Sequence, residues 1–318
     1  MKKAITFVIS SVMIGIILVV ALFLSIVVIN KDVFYDNYTN VLSTKYDELV
    51  KTDSPKIIIV AGSSAAFGLD GNMLAERTGM NVANTALHAG IGALYETELS
   101  KANIGEGDIV LLGYEWEWAY DGLFTDRLGT DLVMTGIDEK IEMYRYLPIR
   151  KYKDILGYLL TFANQKRAYN GGATGPYSRS AFSENGNTME LQRDDSPIVD
   201  SYEKDPNHWG IINFQNIVIP EGTVNYLKEY KEYVENRGAS LYWIGCPIYE
   251  AAVQCDYEEL QKAAKQEEIK IGIPFISNPA DYVFPGEYMY DTIYHTNTRG
   301  MKYRTELLIE DLKKAGII

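Results

Sequence analysis

Cysteine and histidine are scarce in this 318-residue sequence, which holds two of the first and three of the second. Two cysteines close one bridge at most, so a disulfide-built scaffold is excluded. They form no Cys/His cluster with metal-ligand spacing, so a zinc module is excluded, and neither metal nor cofactor is expected. Positive charge is the minority, 30 Lys+Arg against 43 Asp+Glu, for a formal charge of −13 and a pI near 4.8. Nucleic acid, whose phosphates call for a basic face, is therefore an unsuitable partner. Charged residues are 23% and hydrophobic ones 47%, a balance that excludes wholesale disorder. The length suffices for one large or two medium domains, and no internal repeat is visible.

Charge is missing altogether from Ala4 to Ile29, between Lys2-Lys3 and Asn30-Lys31-Asp32. As a helix this run is roughly 39 Å long at about 1.5 Å per residue, more than the ~30 Å hydrocarbon core needs. A cleaved signal has a shorter apolar region, about 7–15 residues, followed by a small-x-small site. Ser25-Ile-Val-Val-Ile-Asn30 offers no such site. The expectation is an uncleaved, single-pass anchor over residues 1–30, with a cleaved signal and a buried core helix as the alternatives. The two N-terminal lysines place the N-terminus in the cytoplasm and the remainder outside.

Beyond a stem or linker at residues 31–54, with an amphipathic helix over Tyr35–Val50, apolar strands alternate with helices. Strands are predicted at Pro55–Ala61, Met80–Asn84, Gly107–Gly113, Ser240–Cys246 and Ile269–Ile273. Helices are predicted at Asp70–Arg77, Gly92–Ala102, Asp138–Tyr146, Lys151–Gln165, Glu221–Asn236, Tyr257–Gln266 and about Thr298–Lys314. Such alternation implies an α/β domain at 55–318 whose parallel sheet is covered on both faces. The ligand site of such a sheet lies at the C-terminal ends of its strands. From about 167 to 221 the alternation stops in a Gly-, Ser-, Asn- and Asp-rich stretch that still carries Tyr169, Tyr177, Phe182, Tyr202, Trp209 and Phe214. This insertion reads either as an excursion packing its aromatics on the domain or as a flap over the site.

The chemistry concentrates at two ends of the domain. Ala61-Gly-Ser-Ser-Ala-Ala-Phe-Gly68 places hydroxyls where the first strand stops, with a backbone N–H available to an oxyanion. Tyr290-Asp-Thr-Ile-Tyr-His295 places an acid four residues before an imidazole. Serine, acid and histidine in this order supply a nucleophile, an orienter and a general base. His88 is a crevice candidate, more simply a packed or capping residue, and His208 reads as surface. Glu115 and Glu117 follow a strand end and, two apart, point to one side, where they can hold sugar hydroxyls. Cys246 and Cys255 form a disulfide or remain two separate thiols.

Gly62-Ser63-Ser64, Asp291 and Tyr294-His-Thr-Asn-Thr-Arg-Gly300 together resemble the SGNH (GDSL-type) hydrolases, over roughly residues 56–115 and 221–314. Their nucleophile follows a Gly-Asp, here Gly62-Ser63, so the resemblance assigns Ser64 as nucleophile, His295 as base and Asp291 as orienter. One residue more than in the family's Asp-x-x-His separates the last two. The resemblance also implies oxyanion N–H groups at Ser64 and Gly90, with Gly92 the other choice. The family's Gly-x-Asn-Asp block is departed from, since Gly113-Tyr-Glu-Trp-Glu117 has no Asn. An α/β-hydrolase elbow, Gly-x-Ser-x-Gly in mid-chain, does not fit, because Ala66 stands two beyond Ser64. What the resemblance implies is a three-layer α/β/α fold with a flavodoxin-like parallel sheet. It also implies a membrane-anchored esterase or acyltransferase for acylated envelope glycans, teichoic-acid-type polymers or small esters, with a membrane-bound O-acyltransferase as a partner. The other expectation is a non-catalytic glycan-binding or assembly partner of such an acyltransferase.

Overall fold

The computed structural model describes residues 2–116, 124, 128–213 and 218–318. The uncharged N-terminal run forms α1 (Lys2–Phe23), continued by a π-helical stretch, Leu24–Ile29. Together they are 28 residues, long and apolar enough to cross a membrane. No residue of α1 is buried by the rest of the chain, which separates it from a core helix. Then follow α2 (Val41–Lys51), β1 (Lys56–Val60), α3 (Ser63–Gly68), α4 (Gly71–Thr78), β2 (Asn81–Asn84), α5 (Ala93–Ser100), β3 (Ile109–Leu112), α6 (Thr130–Gly136) and α7 (Tyr152–Ala168). The chain goes on through α8 (Pro197–Lys204), α9 (Pro206–Trp209), α10 (Glu221–Glu235), β4 (Ser240–Trp243), β5 (Ile248–Tyr249), α11 (Tyr257–Ile271), β6 (Val283–Phe284) and α12 (Thr298–Lys314).

The fold is a three-layer α/β/α sandwich on a four-stranded parallel sheet, order β2-β1-β3-β4, the flavodoxin-like sequence of strands. The β-branched run Ile57-Ile58-Ile59-Val60 makes β1 the central strand, buried on both faces. Its alternation divides the layers. Ile57 and Ile59 pack with Leu69 and Leu74 after β1 and with Leu308, Ile309 and Leu312 of α12. Ile58 and Val60 pack on the other face with Val224, Leu227, Tyr230 and Val234 of α10. The Lys56 ammonium meets the Asp108 carboxylate at 2.8 Å with neither side chain exposed. That carboxylate also takes the Lys56 and Gly105 N–H groups, so the buried pair is fully hydrogen-bonded and sets the register of β1 on β3.

Three elements differ from the sequence reading. The strand expected at Ile269–Ile273 is the end of α11. Asp256 caps that helix at the Glu259 N–H, and Leu260, Ala264, Glu267 and Ile271 are buried at helical spacing until Gly272 turns the chain at φ +80°. Only Phe275 then pairs with Trp243, as a single bridge beside β4. Over Asp138–Tyr146 the helix is a 3₁₀ stretch confined to Ile141–Tyr146. And α2, expected as part of a stem, buries Val41, Leu42, Tyr46 and Leu49 in the domain.

The irregular insertion is threaded into the same core through Phe182, Met189, Ile198 and Tyr202. Its Asn187 bonds the outer side of β2: the side-chain amide donates to the Val82 carbonyl oxygen at 2.9 Å and accepts the Asn84 N–H at 2.8 Å. An otherwise open sheet edge is thereby covered. Cys246 and Cys255 are not joined by a disulfide.

Glu267 sits on the buried face of α11, with burial pushing its carboxyl up to about 8. The fold therefore holds a proton that the unfolded chain, at the ordinary value of 4.5, gives up. The stability tied to that proton is intact below about pH 4.5 and is lost as the pH rises through about 8, at no more than about 1.4 kcal/mol per pH unit. Glu267→Gln should flatten the dependence of Tm on pH across that window and leave the variant more stable than wild type at its upper end, as thermal melts will read.

Candidate active site

All four strands of the main sheet deliver their C-terminal ends to one crevice. After β1, Gly62 leads into α3, with Ser63 half-buried and Ser64 fully buried. Each polar group of Ser64 has a partner. Its N–H donates to Glu115 Oε1 at 2.8 Å, its hydroxyl reaches the Gly113 carbonyl oxygen at 3.4 Å, and its carbonyl accepts from Arg304 Nη1 at 2.7 Å. Gly62 carries no side chain for a steric reason, since a Cβ there would stand 2.5 Å from Glu115 Oε2.

The acid and the histidine meet. His295 Nδ1 lies 2.8 Å from Asp291 Oδ1, although 291–294 is a bend and not a helix. The Thr292 hydroxyl closes that bend by accepting the Tyr294 and His295 N–H groups, which accommodates the extra residue between the pair. The following motif has structural reasons. Asn297 caps α12 by accepting the Gly300 N–H at 3.0 Å, and a Cβ on Gly300 would lie 2.1 Å from the Tyr288 carbonyl oxygen. Burial raises the Asp291 carboxyl, but the hydrogen bond and charge of His295 and the Tyr177 hydroxyl outweigh it and hold the group below its ordinary range. The carboxylate thus stays ionised, with Nδ1–H directed at it and Nε2 left as the basic nitrogen.

The imidazole is stacked on Phe67 of α3, ring centroids 4.1 Å apart and planes within 5°. Phe67 stands three residues after Ser64, about one helical turn, so α3 carries both the hydroxyl and the platform for the histidine. Ser64 and His295 are not hydrogen-bonded to each other in this structure, the serine hydroxyl being turned to Gly113.

The two N–H groups expected to face an oxyanion are both engaged within the chain. That of Ser64 holds the Glu115 carboxylate, and that of Gly90 donates to His88 Nδ1 at 2.8 Å. The anion at the Ser64 N–H is thus the chain's own, the Glu115 carboxylate. Its second oxygen is buried and has no hydrogen-bond partner among the described residues. Glu96, buried beside His88, is raised well above the ordinary carboxyl value by burial and then by the charge of Glu115. His88 is lowered by burial, in keeping with a neutral ring that accepts the Gly90 N–H. Gly92 turns the chain at φ +104°. Glu117 lies outside the described residues.

Three site residues escaped the sequence reading. Tyr177, from the insertion, donates to Asp291 Oδ2 at 2.5 Å and lies 3.5 Å from His295 Nδ1. Arg193, also from the insertion, places its guanidinium 5.3 Å from the Phe67 ring centroid and bonds the Phe67 carbonyl oxygen. Arg304 is fully buried and donates to the carbonyl oxygens of Ser64 and Gly245, at 2.7 and 2.8 Å. A Gly-Pro-Tyr turn at 175–177 was the available signal for the first; an arginine within the closing helix gave none for the last. His208 is exposed on α9, away from these groups. A groove of about 890 Å³ between α2 and residues 179–190 shares no residue with the crevice.

No family model matches the chain, and no curated protein sequence matches it. Among solved structures it is similar to protein YxiM of Bacillus subtilis, with 12% identity and a TM-score of 0.38. That match covers 84% of this chain and 58% of the other, so this chain spans less than two thirds of it.

Arg304→Met should leave the Ser64 and Gly245 carbonyl oxygens buried and unpaired, at about 1–3 kcal/mol each, partly offset by relief of the buried charge. A net loss of about 2 kcal/mol is expected in urea denaturation, with the slope m unchanged.

Proposed function

We propose that this chain is an SGNH-type O-acyl esterase or acyltransferase. In this reading α1 anchors it with its N-terminus in the cytoplasm and the α/β domain outside, where it acts on acylated cell-envelope glycans or teichoic-acid-type polymers. A membrane-bound O-acyltransferase is the partner that this topology suits. The observation that carries the reading is the Asp291–His295 pair, 2.8 Å apart, with the imidazole stacked on Phe67 of the helix that carries the candidate nucleophile.

The chemistry follows from the atoms in place. Asp291 and Tyr177 hold the imidazole with Nδ1–H toward the carboxylate. The Ser64 hydroxyl rotates from Gly113 toward the imidazole, gives its proton to Nε2, and its oxygen bonds the acyl carbon. The resulting oxyanion needs the Ser64 and Gly90 N–H groups, so Glu115 and His88 must yield them. The proton on Nε2 then passes to the departing sugar oxygen, leaving an acyl-serine. Water or a second sugar hydroxyl attacks that ester, its proton returning through His295, and Ser64 is restored.

A second reading has its own support. With one expected donor held by a carboxylate and the other by an imidazole, the crevice also suits a non-catalytic glycan-binding or assembly partner that has kept the fold. Fluorophosphonate labelling and p-nitrophenyl acetate turnover separate the two. Ser64→Ala and His295→Ala should each remove about 10³-fold or more of the rate, and the double variant little beyond either. Ser63→Ala should be mild, and Asp291→Asn should lose about 10²-fold or more through the wrong imidazole tautomer. Glu115→Gln, which removes the like charge from the oxyanion position, should raise turnover about tenfold or more. A wild-type protein that neither labels nor turns over the ester supports the binding partner in place of the enzyme.

A further inference from the structure

We infer that the exposed face of α7 lies on the surface of the membrane and takes anionic phospholipid as its partner. The inference rests on the membrane reading of α1. Leu156 and Leu160, one turn apart on this face, are 45% and 66% exposed, and Ile149 in the 3₁₀ turn just before the helix is 90% exposed, while Ile155, Leu159 and Phe162 of the helix are buried in the core. Large apolar side chains grouped on one exposed side of a helix mark an interaction surface.

Two observations identify what covers them. The first is charge. In a chain of formal charge −13, the stretch Arg145–Arg167 carries exposed Arg145, Arg150, Lys153 and Arg167 and a single acid, Asp154. Basic residues flanking an apolar stripe make the composition of a helix lying in an anionic interface.

The second is continuity with the membrane helix. Lys166, buried on α7, donates to the Ile26 carbonyl oxygen at 2.9 Å and to that of Asn30, and is paired with Asp138. An ammonium thus caps the C-terminal carbonyls of the apolar helix. Ile26 and Val27 share a core cluster with Ile155, Leu159 and Phe162, and Phe23 meets Tyr144 edge-on at 5.6 Å. The apolar helix is 28 residues long, whereas about 20 suffice to cross the hydrocarbon. Its last turns, where α7 packs, therefore stand at headgroup level, and α7 is held there with them. Anchored at both the helix exit and this face, the domain has one fixed orientation over the bilayer.

The test uses the full chain in phosphatidylcholine–phosphatidylglycerol vesicles, with and without dibrominated phosphatidylcholine as quencher. Leu156→Trp and Leu160→Trp each add an indole to the face, and Tyr257→Trp adds one at the exposed start of α11. The emission added by the first two should be quenched at least about twofold more than that added by the third. Lys153→Glu with Arg167→Glu should reduce that excess, and omitting phosphatidylglycerol should do the same. Equal quenching at all three positions, in protein that resists carbonate extraction, overturns the inference while leaving the anchor intact. Cross-linking between copies through this face would assign it to a second chain and overturn it as well. Extraction of the wild-type protein by carbonate refutes the membrane reading itself.

Discussion

The guanidinium of Arg304 is the interaction on which the crevice depends. It reaches from α12 beneath the sheet's C-terminal edge and ties the turn after β1, at Ser64, to the turn after β4, at Gly245. A cation this deep carries a desolvation cost of several kcal/mol, and burial lowers its pKa accordingly. The hydrogen bonds it makes are to main-chain carbonyl oxygens, whose positions no side-chain repacking can replace. Space has been cleared for it: a Cβ on Gly68 would lie 2.7 Å from Nη1. Because α12 begins immediately after the histidine loop, with Asn297 as its cap, the same anchor that seats Ser64 also sets where His295 arrives.

Around that anchor the crevice is assembled from distant parts of the chain. Phe67 carries the imidazole on its face and has the Arg193 guanidinium beside its ring. Tyr177 fixes the free oxygen of Asp291, so the orienting carboxylate is held from two sides. The insertion that supplies Tyr177 and Arg193 is also bonded along the edge of β2, and this ties its placement to the sheet. An electrostatic tension runs through the same crevice. Glu96 and Glu115 are buried close enough for the charge of one to raise the other, and Lys45 nearby is lowered to about 7 by burial. Like charges of this kind are costly and are found where a site binds or moves charge.

The N-terminal end of the molecule follows the same economy of contacts. One lysine, Lys166, joins the exit of the apolar helix to the domain, and Asp138, whose carboxyl is raised by burial despite the lysine beside it, joins that lysine to the loop before the 3₁₀ stretch. Both charges are hidden from solvent, so each depends on the other, Lys166 also on the Ile26 and Asn30 carbonyl oxygens and Asp138 on the Val33 N–H. The domain is thereby coupled to its N-terminal helix by directed hydrogen bonds as well as by apolar packing.

Much of this was legible in the residues. The uncharged run of Ala4–Ile29, the β-branched run of Ile57–Val60 and the alternation of strands with helices encode local periodicity and burial, which a chain carries in its own order. The contact of Asp291 with His295 was within reach of the sequence, because a pairing four residues apart needs only a short bend. Other features were settled by tertiary structure alone. The end of α11 was misread because Ile269–Ile273 is apolar in either conformation, and its contacts with the sheet, with Gly272 free to turn left-handed, decided for helix. That Glu115 lies on the Ser64 N–H, that Tyr177 reaches Asp291 and that Arg304 spans two strand ends depend on residues 51, 114 and 240 positions apart. Sequence order determines which side chains alternate and which chemistry is available. Which hydrogen-bond donors remain open to a ligand is decided only when the folded chain brings its own acceptors to them.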